Sequence, residues 1–167
     1  AQQLLGFWLY DRRRHEEAIR HWEVAVRLEP KNAVVWRCLG IAYFNVRGNA
    51  AAARRAYEGG IAADPADGRL VYERDQLWKR LGMAPARRLR ELSRHQALVR
   101  RRDDLAVEYC ALLNHHGRAA EARQLLSSRR FQPWEGGEGG PLGQHVRAHV
   151  LLGRQALAAG DFPRARE

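Results

Sequence analysis

Apolar residues return at every third or fourth position through most of this chain, which is the spacing of amphipathic helices. Leu89 and Leu92 show it in one segment. Proline follows Glu29 and Asp64 at the ends of two such segments, and a residue before proline is pushed out of the helical region. The stretch RRFQPWEGGEGG, 129–140, has no helical period. The pattern predicts an all-α chain with one irregular connector.

A repeat is visible within this pattern. The stretch NAVVWRCLGIAY follows the spacing W-x2-L-G-x2-Y, and the signature is nearly complete in Trp36, Leu39, Gly40, Tyr43, Ala53, Tyr57 and Pro65. It is the tetratricopeptide signature, in which each repeat is a hairpin of two helices. An earlier copy without its beginning is carried by Leu5, Gly6, Ala18, Trp22, Ala25 and Pro30.

The spacing predicts four hairpins and part of a fifth. Their approximate boundaries are 1–30, 31–66, 67–101, 102–128, a connector at 129–142 and a partial hairpin at 143–167. In the third hairpin Arg74 and Asp75 replace the Leu-Gly pair, which we interpret as a structural bridge between helices. The predicted fold is all-α, a single domain formed by a right-handed superhelical stack of antiparallel helix hairpins.

Small and aromatic residues have a packing role in this repeat. Glycine and alanine let the two helices of a hairpin approach closely, and we expect Trp22, Trp36 and Tyr57 to fill the space between neighbouring hairpins. Because the chain begins and stops inside helical patterns, we also expect it to be a fragment of a longer protein.

Several later stretches carry a more specific resemblance: YERDQLWKRLG, RRRDDLAVEY, LLNHHGRAAEA, SSRRFQPWEGGEG and GQHVRAH. Across roughly 71–154 the chain resembles the C-terminal helical region of a family of bacterial proteins of unknown function. In that family the repeats follow a large β-rich domain similar to sugar-processing sandwiches. The resemblance implies a connection with carbohydrate through a missing N-terminal part and no established activity.

Charge bears on the class of partner. The chain has 29 Lys and Arg against 19 Asp and Glu, a net charge of +10, which raises nucleic acid as a partner. The arginines are interleaved with acids, as in RRRHEEAIR and RRRDDLAVE, which is typical of solvated helix faces. This distribution disfavours nucleic acid.

Cysteine usage and hydropathy bear on the compartment. Cys38 and Cys110 lie in apolar helical patterns, where a thiol packs as a small hydrophobe, and they do not make a disulfide framework. No apolar run approaches the roughly 20 residues of a membrane helix, and no leader pattern opens the chain. We therefore expect no membrane partner and a cytoplasmic location.

The sequence indicates no catalytic, cofactor or metal site. His145 and His149 are one helical turn apart, but a third ligand at a telling distance is missing, so we expect a solvated pair. Glu135 and Glu138 could act as the paired carboxylates of glycoside chemistry. On a glycine-rich loop they lack the rigid support that such geometry requires.

The concave face of the stacked hairpins is the stronger candidate site, since first helices line it and extended peptides bind there. Helical counting places on this face Phe7, Tyr10, Arg37, Ile41, Phe44, Asn45, Arg69, Tyr72, Gln76, Lys79 and Arg80, with Asp11, Asn114 and His115 beside them. Aromatics and arginines suit a peptide or an acidic ligand. The alternative, that these are only the wetter sides of structural helices, stays open.

The connector is the second candidate. Phe131 and Trp134 are too large and apolar to be left in water, so we expect them to dock on the fourth and fifth hairpins. Glu135 and Glu138 should face outward or accept hydrogen bonds, and the next helix should begin near Gln144. A ligand or domain contact built on this loop stays open.

Taken together, the patterns predict a non-catalytic interaction scaffold attached to a larger bacterial protein. Its concave face would bind a protein or peptide partner, or the missing N-terminal domain of the same protein. The alternative is an accessory region of a bacterial carbohydrate-active enzyme, with the WEGGEG loop contacting the sugar-processing domain.

Overall fold

The computed structural model describes residues 1–132, 137 and 139–166. This part of the chain contains eleven helices and no strand, so the all-α fold class is confirmed. The chain divides into two compact units, Ala1–Gly82 and Met83–Glu167.

The first unit contains five helices: α1 (Gln2–Asp11), α2 (His15–Leu28), α3 (Ala33–Asn45), α4 (Ala50–Ala63) and α5 (Gly68–Arg80). Helix α1 packs against α2, and α3 packs against α4. These two hairpins join through contacts of α2 with α3, and α4 in turn packs against α5.

Local sequence sets the helix ends in this unit. Helices α2 and α4 stop just before Glu29 and Asp64, the residues that precede proline. Asn32 begins α3, and its side chain accepts a hydrogen bond from the backbone of Val35 at 3.3 Å. Asn49 caps α4 in the same way. Each cap satisfies an amide that has no partner within its own helix.

The aromatic residues of the repeat meet glycine within a hairpin, whereas the sequence predicted that they fill the space between neighbouring hairpins. Trp22 is buried in the core of the first unit, and a Cβ added at Gly6 would overlap its indole ring. Tyr57 is also buried. Trp36 is half-buried, and its indole nitrogen donates to the carbonyl of Pro30 at 2.8 Å.

The second unit contains six helices: α6 (Pro85–Ser93), α7 (Gln96–Arg101), α8 (Asp103–His115), α9 (Ala119–Ser127), α10 (Gly140–Ala158) and α11 (Phe162–Ala165). Helices α6 and α7 pack on α8, which packs against α9, and α10 packs on both α8 and α9. The boundary between the units falls inside the predicted third hairpin.

The second half of that hairpin forms two helices. The hydroxyl of Ser93 donates to the carbonyl of Leu89 at 2.8 Å. The backbone amides of Arg94 and His95 donate to carbonyls three residues earlier in the chain. Serine that bonds back to its own helix competes with the regular backbone pattern. The helix therefore ends at Ser93 and restarts at Gln96.

Helix α10 begins earlier than its hydrophobic pattern predicts. The expected start near Gln144 is wrong, because Gly140 is already helical. Gly139 precedes it with a φ of 72°, which glycine adopts without strain. Pro141 lies in the first turn, where its missing N–H costs no helical hydrogen bond.

Arg74 and Asp75, which replace the Leu-Gly pair of the repeat, lie in α5 with both side chains buried. The Arg74 guanidinium lies over the ring of Trp78, 4.5 Å from its centroid. The position where other repeats hold a small residue thus holds polar groups inside the fold.

Candidate functional site

The first depression in the first unit is apolar. It has a volume of about 230 Å³ and is lined by Phe7, Tyr10, Asp11, Trp22, Cys38 and Ile41. Trp22 holds two of these rings in place, with the Phe7 centroid at 5.7 Å and the Tyr10 centroid at 5.3 Å. The three rings therefore form one continuous aromatic wall.

A second depression continues on the other side of Ile41. It has a volume of about 190 Å³ and is lined by Ile41, Phe44, Asn45, Tyr57, Glu73, Gln76, Leu77 and Arg80. Its walls come from α3 and α5, and Tyr57 of α4 completes them. Ile41 lines both depressions, so they are adjacent.

The structure brings most of the predicted groove residues of the first unit to these two depressions. Those that line one or both are Phe7, Tyr10, Asp11, Ile41, Phe44, Asn45, Gln76 and Arg80. Arg37, Arg69, Tyr72 and Lys79 line neither. Asn114 and His115 belong to the second unit, where Asn114 is buried and donates to the Gln144 carbonyl at 3.0 Å. That any of these residues bind a partner stays a prediction.

Arg37 is already engaged inside the fold. Its Nε donates to both carboxylate oxygens of Glu73 at 2.8 Å, and both side chains are about one-fifth exposed. Arg69 adds a further contact with Glu73 at 3.0 Å. Helical counting did not foresee this bridge, which joins α3 to α5. Arg80 differs, since it is exposed and makes no ion pair with any residue that the structure describes.

Burial shifts the pKa values of two titratable groups beside the depressions. Burial raises the pKa of the Cys38 thiol, so this group stays protonated and weakly nucleophilic at neutral pH. Burial likewise raises the pKa of Tyr57, and the nearby Glu73 carboxylate adds to the effect. Neither group is a ready nucleophile or base.

The connector is attached to the second unit at its first residues. The guanidinium of Arg129 forms an ion pair with Asp103 and donates to the carbonyls of Val99 and Arg100 at 3.2 and 3.0 Å. It also lies over the ring of Phe131, 4.9 Å from the centroid. The loop candidates Trp134, Glu135 and Glu138 lie outside the described residues.

The second unit has a larger cleft that the sequence reasoning missed. Its volume is about 680 Å³, and the lining residues belong to α6, α7, α8, the turn before α9, α9 itself and the segment after α9. Tyr109 and Leu113 contribute from α8. The Tyr109 hydroxyl accepts a hydrogen bond from Gln96 at 2.8 Å and meets Ser93 at 3.2 Å. The sequence did contain one signal of this cleft. Tyr109 stands as many residues before Gly117 as Gly40 stands before Gly48, so a large ring occupies the position at which the repeat has glycine.

The histidine pair and the two cysteines have ordinary surroundings. His145 and His149 face each other with their Nε2 atoms 3.1 Å apart. Over residues 1–132, 137 and 139–166, no three His, Cys, Asp or Glu side chains converge as metal ligands. Cys38 and Cys110 are free thiols.

Many arginines are paired within their own helix turn. Arg14 contacts Glu17 and Arg118 contacts Glu121, each at 2.6 Å. Such exposed pairs contribute little to stability. They agree with the interpretation of the interleaved charges as solvated helix faces.

Solved structures with the same architecture identify the fold. YrrB, a tetratricopeptide protein with an unusual peptide-binding site, superposes with a TM-score of 0.63 at 18% identity, over 98% of this chain and 79% of its own. MamA gives a TM-score of 0.61 at 15% identity, over 98% and 84% of the two chains. PilW, a widely conserved type IV pilus biogenesis factor, gives 0.53 at 16% identity, over 98% and 71%.

These similarities show a tetratricopeptide-type fold. No family model matches the chain. Among the described residues, no helix has the length and apolar character needed to cross a membrane. At such low identity the function has to be argued from the chain's own residues.

Proposed function

We propose that this chain is a non-catalytic interaction scaffold that binds an extended protein segment across α1, α3 and α5. The observation that carries the proposal is the pair of adjacent depressions on either side of Ile41. One offers a preformed aromatic wall for an apolar side chain. The other offers the amides of Asn45 and Gln76 and the uncommitted charge of Arg80, which suit backbone groups and an acidic side chain.

A binding role fits this chemistry better than catalysis does. The lining groups are mostly aromatic, aliphatic, amide and guanidinium groups, and burial keeps the Cys38 thiol protonated. YrrB is described as having a peptide-binding site, which supports the same class of ligand here. The partner could be a separate protein or another segment of the same protein, since either supplies such a peptide.

The proposal is tested with peptides selected from a random display library on the intact chain. Ile41→Lys should lower the affinity of the selected peptides by about tenfold or more, because it places a charge between the two depressions. Arg80→Glu should weaken the binding of acidic peptides in particular. Arg27→Glu, an exposed change on α2, is the matched control and should have no effect. Binding that is equal in all four proteins would place the site elsewhere.

A further inference from the structure

Helix α10 exposes four of its six large apolar side chains and fully buries only alanines, while Leu151 and Leu152 are half-buried. Its buried residues are Ala148 and Ala156, whereas its exposed residues include Leu142 at 66%, Val146 at 53%, Val150 at 55% and Leu157 at 54%. A surface helix of a globular protein normally does the reverse. This inversion marks the outer face of α10 as a contact surface.

Two hydrogen bonds fix which face of α10 points outward. Asn114 of α8 donates to the backbone carbonyl of Gln144 at 3.0 Å. Near the other end, Gln155 donates to the carbonyl of Gly117 at 3.0 Å. Because both anchors lie on the side of the buried alanines, the helix cannot turn its aliphatic residues inward without breaking them.

The exposed aliphatic residues form one stripe. Leu142, Val146 and Val150 are four residues apart, and Leu157 follows two helical turns after Val150, so all four share one face. The stripe runs for about 22 Å along the helix axis. A straight, convex ridge of this length matches another helix better than an extended peptide, since helices pack ridge into groove.

The charged residues of α10 itself are all basic. Helix α10 contains no Asp or Glu, while Arg147 and Arg154 lie on the face beside the stripe. Within the part of the chain that the structure describes, neither arginine forms an ion pair. An occupant with acidic residues along its edge would compensate both charges.

We infer that the α10 stripe (Leu142, Val146, Val150 and Leu157) docks an acidic amphipathic helix of a partner protein. A second copy of this chain is disfavoured, because two α10 stripes would bring Arg147 and Arg154 of both copies together. A membrane surface is disfavoured too, since the stripe contains no aromatic anchor and only two arginines flank it. This surface is independent of the depressions beside Ile41.

The probe is a designed helical peptide of about 18 residues, long enough to run beside the stripe, with a leucine face flanked by glutamates. A matched peptide carries lysines in place of the glutamates. Fluorescence anisotropy with the intact chain should show tighter binding of the glutamate peptide. Val146→Ser with Val150→Ser should weaken it by about tenfold or more, because both side chains are over half exposed and can change without unfolding the helix.

The decisive variant is Arg147→Glu with Arg154→Glu, which should reverse the preference toward the lysine peptide. Arg123→Glu on α9 is the control and should leave the preference unchanged, as should Ile41→Lys in the other unit. Equal binding of both peptides would overturn the inference. So would stronger binding to phosphatidylglycerol vesicles, or self-association in sedimentation that Val150→Ser abolishes.

Discussion

Gly40 and Tyr57 are in contact where α3 and α4 pack most closely. A Cβ added at Gly40 would lie 2.9 Å from Cε2 of the tyrosine ring, closer than real Cβ contacts come. Tyr57 is only 6% exposed, so most of its ring is enclosed and it could shift only toward the depression that it lines. Glycine at this position of the repeat is therefore a packing requirement and not a matter of backbone conformation.

The first prediction follows from this contact. Gly40→Ala should destabilise the protein by about 1–3 kcal/mol, because overpacking forces the helices or the ring to shift. Urea denaturation followed by circular dichroism measures the loss. Gly143→Ala in α10 is the matched control, since nothing lies within 4 Å of the added methyl group. It should be neutral or slightly stabilising, and equal losses in the two variants would refute the packing argument.

The second prediction separates two arginines that look equivalent in the sequence. Arg37→Ala should cost about 1–3 kcal/mol, because it leaves the mostly buried Glu73 carboxylate with a weaker set of partners. Arg80→Ala should stay within about 0.5 kcal/mol, because the side chain is exposed and makes no ion pair among the described residues.

A double-mutant cycle with Glu73→Gln distinguishes the Arg37 contact from a general effect of charge. The cycle should give a coupling energy of about 1 kcal/mol for Arg37 with Glu73 and none for Arg80 with Glu73. If Arg37→Ala proved harmless, the bridge between α3 and α5 would carry no stability, and Arg37 would again be available to a ligand.

The third prediction concerns alkaline pH and the thiol of Cys110. Burial raises the pKa of this thiol from 9.0 to about 12, and Arg129 opposes the shift. The folded state therefore holds the proton more tightly than the unfolded state does. The contribution of this thiol to the free energy of unfolding is fully present below pH 9, and it is lost as the pH rises from about 9 toward 12.

Between pH 9 and 10 the protein should lose about 1 kcal/mol through this thiol, as measured by urea denaturation at each pH. Cys110→Ala should show a flatter pH dependence over that interval, although it is less stable at neutral pH. Tyrosine ionisation is common to both proteins, so it cancels in the difference. If the free energy of unfolding had the same slope against pH in the two proteins, the thiol would ionise in the folded state as readily as in water.

The features of this structure that could be predicted from the sequence depend on residues within a single repeat. The signature predicts that glycine lets the two helices of a hairpin approach closely, and Gly6 and Gly40 do lie at such approaches, although their contact with Trp22 and Tyr57 is known only from the structure. The depressions beside Ile41 follow from the same counting, because residues of α1, α3 and α5 recur at the same helical register.

The features that could not be predicted depend on individual contacts, one between distant residues and two at helix ends. Nothing in the spacing indicates that Glu73 reaches Arg37, because two long side chains can bridge many pairs of positions. The break at Ser93 depends on a single hydroxyl bonding back to Leu89, and the early start of α10 depends on Gly139. Each depends on one side chain or one backbone angle that the periodicity of apolar residues does not record.

The last prediction concerns Arg129, which joins the start of the connector to α7 and α8. Its guanidinium bridges two backbone carbonyls and the Asp103 carboxylate and covers the ring of Phe131. Arg129→Ala removes all four contacts at once and leaves Asp103 partly buried without its cation. We expect a loss of about 2–4 kcal/mol, since hydrogen bonds to charged groups are among the stronger ones.

Arg130→Ala is the neighbouring control, because Arg130 is exposed and has no contact of this kind among the described residues. It should change the free energy of unfolding by less than about 0.5 kcal/mol. Hydrogen exchange should separate the effects further, with faster exchange of the Gln132 amide in the Arg129 variant, since that amide donates to Asp103 at 2.7 Å. Unchanged exchange at Gln132 together with unchanged stability would show that the connector is held by other residues.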